Sequence, residues 1–332
     1  MIITRTPYRI SFFGGGTDYP AWHKDHEGMV LSTTINKYCH IYCRYLPPYF
    51  SFRYLLRYFH REEANALDEI RHPSVRECLR YLGVDRGIEM VHTGDIPAQA
   101  GMGSSSAFTV GMLTALYALI GKMTTKRQIT RDALHIEQDV LKENVGSQDQ
   151  VAAAFGGFNK IEFGGDRGFY VSPLTLGSEK IDLLHRHLML YFTGLSRNAS
   201  DIAGEQIKGI QEKKTELRIL TQMVCEAVSI LYGKPENINE FGKLMHESWM
   251  IKRGLTRLIT TDKIDSLYSA ALEAGALGGK LLGAGGGGFL LLFVPPEHQQ
   301  RVKERLKNAL HVPFYFESLG SQIIMYSTQE MM

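Results

Sequence analysis

The segment Asp95-Ile-Pro-Ala-Gln-Ala-Gly-Met-Gly-Ser-Ser-Ser-Ala107 limits most sharply what this chain can fold into. A turn-forming proline, two spaced glycines and three hydroxyls run directly into an apolar stretch, which predicts a loop opening a helix from about Ser104 to Leu119. The strand-like Ile88-Glu-Met-Val-His92 precedes it, so the order is strand, loop, helix. Small glycines let backbone N–H groups approach an anion, and the first helical turn adds unpaired donors and the positive end of the helix dipole. That is the layout of a phosphate cradle. A serine-capped helix after a glycine turn is the competing reading, and this segment alone leaves the two open.

The chain has 332 residues, 44% hydrophobic and 22% charged, enough for two cores, and two domains are expected. A net charge of +2 gives no footprint for nucleic acid or an anionic membrane surface. The basic run Arg53-Tyr-Leu-Leu-Arg-Tyr-Phe-His-Arg61 alternates with aromatics and reads as a half-buried strand with solvated charges rather than an RNA-binding face. Cys39, Cys43, Cys78 and Cys225 show neither C-x-x-C spacing nor disulfide density, which points to a reduced, cytoplasmic protein without cysteine-bound metal. No secretory signal is expected, and the apolar run Gly288–Val294 is far shorter than the ~20 residues of a membrane-spanning helix.

Strand-like pieces at Ile2–Thr6, Arg9–Phe13, Met29–Ile35 and Cys39–Tyr45 predict an antiparallel start. Arg61–Leu82 reads as helical with a break at His72-Pro73, followed by helices from Ser104 and from about Thr130. A strand pair is expected over residues 156–171. The interruption near residues 172–180 suggests a boundary, giving domains 1–175 and 176–332. The second half opens on the strand Leu188–Thr193, followed by a loop to Asn198 and a long helix to about Tyr232. It closes on strands Phe289–Val294 and Gln322–Tyr326. The mixed order, without a βαβα rhythm, indicates an α+β fold with mixed or antiparallel sheets.

Two further signals bear on chemistry. Gly283-Ala-Gly-Gly-Gly-Gly288 satisfies the dinucleotide pattern G-x-G-x-x-G, but an Ala-rich helical segment precedes it and a strand follows, the wrong context for that site. The glycines are read instead as letting backbone approach something closely. Glu137 falls within the apolar stripe of a helix expected over Asp132–Asn144, where a charge needs a partner. A Mg²⁺ ion and a structural arginine both answer that need. Asp149, in the turn Gly146-Ser-Gln-Asp149, is either a helix cap or a functional carboxylate. Arg9 and Asp18, either side of a triple-glycine turn in Pro7–Tyr19, suit a clamp on a polyhydroxylated substrate.

Taken in order, the stretches Arg9–Tyr19, Pro97–Ala107 and Lys280–Phe289 resemble the three signature motifs of the GHMP kinases, across the whole chain. Ser-Phe-Phe-Gly-Gly-Gly-Thr-Asp-Tyr, Glu-Asn-Val-Gly-Ser-Gln-Asp-Gln and Phe-Thr-Gly-Leu-Ser-Arg-Asn-Ala-Ser are most similar to the D-glycero-D-manno-heptose 7-phosphate kinases. Those enzymes phosphorylate the anomeric hydroxyl on the way to nucleotide-activated heptose for surface polysaccharide. The galactokinase-like Gly-Glu-His-Thr-Asp-Tyr is replaced by Gly14-Gly15-Gly16-Thr17-Asp18-Tyr19, which removes two polar side chains from the sugar pocket.

The resemblance implies a two-domain fold with its active site in the interdomain cleft, using ATP and Mg²⁺. Gly101, Met102, Gly103, Ser104, Ser105 and Ser106 would hold ATP, and Ser105 with Glu137 would hold Mg²⁺. Asp149 would be the catalytic base and Arg9 its assistant. Gly15, Gly16, Thr17, Asp18 and Gly286 would bind the sugar, with Arg197 as the candidate for its phosphate. The expected partner is a small-molecule sugar phosphate, with a homodimer as the candidate assembly and neither nucleic acid nor membrane. A kinase for fucose or another free sugar, and a non-catalytic sugar and ATP sensor, are the alternatives.

Overall fold

Pro7 does not end the first strand. In the computed structural model, which describes residues 1–98, 100–165, 168–194 and 199–327, strand β1 runs unbroken over Ile2–Phe13. It pairs antiparallel with β2, Gly28–Tyr45, and register shifts at Pro7/Tyr8 and Ser11/Phe13 absorb the irregularities. The four short pieces read from sequence are therefore two long strands. A proline at a ladder irregularity loses little, since the bond it cannot donate is already disrupted there.

Around this pair stand β3 (Tyr54–Arg57), β4 (Arg61–Ala64), β5 (Ile88–Gly94), β6 (Asn159–Phe163) and β7 (Phe169–Pro173). The second sheet is antiparallel, in the order β11-β8-β10-β9, built from β8 (Leu188–Phe192), β9 (Gly278–Leu281), β10 (Phe289–Phe293) and β11 (Leu310–His311). The short β12 (Phe316–Glu317) and β13 (Gln322–Tyr326) return to the first sheet, where β12 pairs with β2 and β13 with β1. A division at residue 175 is thus crossed by the last strands. The fold is α+β, as expected.

Three helices differ from the sequence reading. Arg61–Ala64 is a strand, because its backbone closes a hairpin on Tyr54–Arg57. Only Pro73–Leu82 of the expected helix forms, with Pro73 in its first turn. The helix expected over Asp132–Asn144 is the end of Lys126–Leu134, followed by a π-helical turn at His135–Val140. The long helix of the second half is interrupted by a 3₁₀ turn at Ile210–Glu212, between Ala199–Gly209 and Lys214–Tyr232.

The helix Ser104–Leu119 lies against β1 and β2, while Lys214–Tyr232 packs on the same two strands. One hydrophobic cluster accordingly draws on both halves. Phe241, fully buried on the helix Ile238–Arg253, meets Phe12 and Phe13 edge-on at ring separations of 5.6 and 5.1 Å. This packing fixes the second half over the C-terminal end of β1, where Arg9 and the triple glycine lie.

Candidate active site

The glycine segment 283–288 connects β9 to β10, so it is a hairpin loop between strands and no helix follows it. Its backbone meets the Gly101–Gly103 turn directly. Gly283 (φ 79°) and Gly101 (φ 76°) touch, and a Cβ on either would overlap the other segment's backbone. The close approach inferred from sequence is therefore one motif against the other.

Below this junction, Arg9 is buried on β1 and holds two groups through three hydrogen bonds. Its Nε and Nη2 donate to Asp149 Oδ1 and Oδ2 at 2.7 and 2.9 Å, and its Nη1 donates to Gly101 O at 2.7 Å. Asp149 sits in the first turn of the helix Gln148–Phe155, whose N-cap is Ser147, so it is not the cap. Its carboxylate belongs to the ion pair. Asp18 is 2% exposed; its Oδ1 accepts from Gly16 N at 3.0 Å and its Oδ2 from Gln148 N at 3.4 Å. Burial, then the Asp149 charge, pushes the Asp18 carboxyl above the usual range, against the backbone N–H groups that favour the anion. Gly146 makes this possible, since a Cβ there would overlap Asp18 Oδ2.

These groups open on a cleft of about 640 Å³. Gly15, Gly16, Asp18, Arg9 and Asp149 line it together with Gly101, Gly103 and Ser104–Ser106, and Ser200, Ala203, Gln206, Gly283 and Ala284 come from the second half. One end is aromatic. His72 stacks on Phe108 (4.6 Å, 22°), His92 meets the same ring edge-on at 5.0 Å, and Tyr58 and Phe59 complete this wall. Burial lowers the His72 imidazole to about 4 and moves His92 in the same direction. His92 Nε2 is buried without a hydrogen-bond partner among the described residues.

Three expected site residues turn away from the cleft. Met102 is fully buried in the core, and Thr17 spends its hydroxyl on Gly14 O and Met29 O. Gly286 gives its N–H to Ile259 O at 2.8 Å and does not line the cleft. Arg197 lies outside the described residues. Ser105, expected to share Mg²⁺ with Glu137, lines the cleft but makes no direct hydrogen bond to that carboxylate among the described residues. Ser105 is exposed, and it is Ser106 Oγ that donates to Glu137 Oε2 at 2.8 Å, joined by the Gln150 amide. A helix turns about 100° per residue, so adjacent serines face different ways.

Glu137 is fully buried, and among the described residues it has no arginine partner and its Oε1 has no hydrogen bond. Burial pushes its carboxyl up to about 7, opposed by the Thr109 and Ser106 hydroxyls and the Gln150 amide. An orphaned carboxylate oxygen beside a hydroxyl of the cradle helix fits a hard cation.

Sequence reasoning missed Lys252 and Lys280. Both are buried; Lys252 Nζ donates to Gly283 O at 2.7 Å and lines the cleft, and Lys280 Nζ donates to Phe12 O at 3.0 Å. The signal was present for Lys252. It continues the stripe of Phe241, Met245 and Trp249, the same argument that singled out Glu137.

The model of the GHMP kinase N-terminal domain matches residues 71–157, and that of the GHMP kinase C-terminal domain matches residues 229–312. The chain belongs to the GHMP kinases. It is an ATP-dependent kinase. It is 28% identical to a D-glycero-alpha-D-manno-heptose 7-phosphate kinase of Campylobacter jejuni, over 92% of this chain and 93% of that one. It is 27% identical to an L-fucokinase/L-fucose-1-P guanylyltransferase of Bacteroides fragilis, over 67% of this chain and 23% of that one. A crystal structure described as a D-glycero-D-manno-heptose 1-phosphate kinase from Bacteroides thetaiotaomicron superposes with a TM-score of 0.80 at 24% identity, covering 98% of this chain and all of that one. Among the described residues, no helix is long and apolar enough to cross a membrane.

Proposed function

We propose that this GHMP kinase is a sugar 1-kinase acting on D-glycero-D-manno-heptose 7-phosphate, transferring the γ-phosphoryl group of ATP to the anomeric hydroxyl and giving the 1,7-bisphosphate. The observation that carries the reading is the 28% identity to the Campylobacter heptose 7-phosphate kinase along nearly the full length of both chains. The chemistry of the cleft is consistent with it. A buried acceptor (Asp18) and an ion-paired carboxylate (Asp149) lie in one cleft with the glycine turn, as phosphoryl transfer to a hydroxyl requires.

In this reading the N–H groups of the turn at Gly101 and Gly103 and the first turn of the cradle helix hold the ATP phosphates. The base of the nucleotide lies against the wall of Tyr58, His72, His92 and Phe108, where neutral imidazoles stack and hydrogen-bond without repelling it. Ser106 and Glu137 would hold Mg²⁺, which when bound neutralises charge on the phosphates. Asp18 accepts from sugar hydroxyls and fixes the ring. Asp149 takes the proton of the attacking hydroxyl, and Arg9 keeps its carboxylate in one orientation while tying it to the phosphate turn through Gly101 O. An anomeric hydroxyl is more acidic than an ordinary alcohol, which eases this step. Gly15 and Gly16 put no side chain of their own into the acceptor end, which favours a sugar larger than a hexose.

The test is coupled ADP release with ATP and Mg²⁺ across heptose 7-phosphate, heptose 1-phosphate, mannose, mannose 6-phosphate, fucose and galactose, with Asp149→Asn as control. The expected result is turnover on the heptose 7-phosphate alone, lost in the variant. Turnover on fucose would favour the partial likeness to the fucokinase. ATP binding without turnover on any sugar would favour a sensor.

A further inference from the structure

Lys252 ends the apolar stripe of the helix Ile238–Arg253 and is buried. A buried ammonium is costly unless an anion accompanies it. Its hydrogen bond, however, is to a carbonyl, Gly283 O, and no ion pair joins it to a carboxylate among the described residues. An ammonium has three donors. Since Lys252 lines the cleft, the two that remain are within reach of a ligand entering it. Lys280, the second buried lysine, is different: it donates to Phe12 O and does not line the cleft.

The anchor of Lys252 indicates which anion it awaits. Gly283 touches Gly101, and Gly101 O is gripped by Arg9. Two cations are thus fastened to one backbone junction, where the phosphate turn meets the glycine loop of the second half. We infer that Lys252 binds the γ-phosphoryl group of ATP and accompanies it to the acceptor oxygen, an inference that rests on the kinase reading. The bond that breaks joins the γ-phosphorus to the oxygen bridging to the β-phosphorus, and its electron pair leaves with ADP. The bond that forms joins the same phosphorus to the acceptor oxygen, whose proton passes to Asp149. Lys252 keeps its own proton throughout, and its charge offsets that on the phosphoryl oxygens in flight.

The groups around the ammonium give this a pH signature. Burial and then Arg9 on β1 lower Lys252 to about 8, opposed by Asp18 and by Asp149 on the helix Gln148–Phe155. Lys280 on β9 faces the same region and is itself pushed well below the usual amine value, by burial and then by the Lys252 charge. In the free enzyme, kcat/KM should therefore fall as pH rises through about 8, where the ammonium is lost.

Two measurements test the inference on the full chain. Calorimetric titration compares ADP with the β,γ-imido analogue of ATP, both with Mg²⁺, and needs no knowledge of the acceptor. Lys252→Met is expected to weaken the analogue about tenfold or more and leave ADP within about twofold, with kcat reduced about 100-fold on whichever sugar turns over. Lys252→Arg, which keeps the charge and serves if the Met variant does not fold, is expected to move the alkaline limb of kcat/KM upward by more than one pH unit, since guanidinium does not titrate there. Equal weakening of ADP and analogue, or a Lys252→Met effect confined to the KM of the sugar phosphate, would overturn the inference. So would an alkaline limb unchanged in Lys252→Arg. If no sugar in the panel is turned over, the substrate reading fails while the titration still decides Lys252.

Discussion

Arg9 and Asp149 form a two-pronged ion pair, Nε to Oδ1 at 2.7 Å and Nη2 to Oδ2 at 2.9 Å, that joins β1 to the helix Gln148–Phe155 across 140 residues of sequence. The third guanidinium nitrogen holds Gly101 O, so one arginine sets the distance between the carboxylate and the turn at Gly101. Planar geometry is what permits this, because a lysine offers no fork.

Replacing either partner should therefore cost turnover before stability. Asp149→Asn is expected to lower kcat by about 10²–10⁴-fold with ATP-analogue affinity nearly unchanged, read by coupled ADP release and calorimetry. Arg9→Lys should lower kcat by a similar order although the charge is kept; wild-type kcat in that variant would show that the fork is not needed.

Gly146 should be intolerant for a reason confined to the acceptor end. A Cβ at this position overlaps Asp18 Oδ2, so Gly146→Ala must displace the Asp18 carboxylate. The expected loss in kcat/KM for the sugar is about 100-fold, the order that a displacement near 1 Å produces. Binding of the ATP analogue should be unaffected, and a parallel loss of both affinities would point to general unfolding instead.

Glu137 makes the metal-free protein sensitive to pH in an unusual direction. Its folded carboxyl lies at about 7, above the ordinary carboxylate value, so the folded state holds the proton more tightly than the unfolded one. The stability this confers is full below about 4.5 and is lost as pH rises through about 7, on the order of 3 kcal/mol in total. Glu137→Gln, which stays neutral, should show a flatter Tm between pH 5 and 7.5 than wild type when both are measured in chelator. Mg²⁺ should raise the wild-type Tm at pH 7.5 and leave the variant's within a degree; identical profiles with and without the substitution would remove Glu137 as their source.

Phe241 is expected to couple the two halves. It is fully buried and edge-on to both Phe12 and Phe13, so Phe241→Ala should lower stability by about 3–5 kcal/mol through cavity formation. In chemical denaturation a single transition shifted to lower denaturant is the expected outcome. Two separate transitions would mean that the halves unfold independently and that their shared core contributes little.

The sequence by itself determined the local pieces whose signals are local. The helix Ser104–Leu119 and the strand Gln322–Tyr326 form over the residues read for them, because glycine punctuation, capping chemistry and side-chain periodicity act over a few residues. It also determined the placement of Arg9, Asp18 and the glycine turn in one cleft, since three ordered motifs carry that information together. The tertiary structure decided what depends on partners distant in sequence. Arg61–Ala64 looks helical until Tyr54–Arg57 supplies a hairpin partner. Glu137 meets Ser106 rather than Ser105 because helix phase and a π-helical turn set which hydroxyl faces it. Thr17 and Met102 sit inside matched motifs yet serve packing and backbone hydrogen bonds. Lys252 becomes part of the site only when the helix Ile238–Arg253 docks on β9 and brings its ammonium to Gly283. Periodicity marks a residue as inward-facing; only the packed neighbours say what it faces.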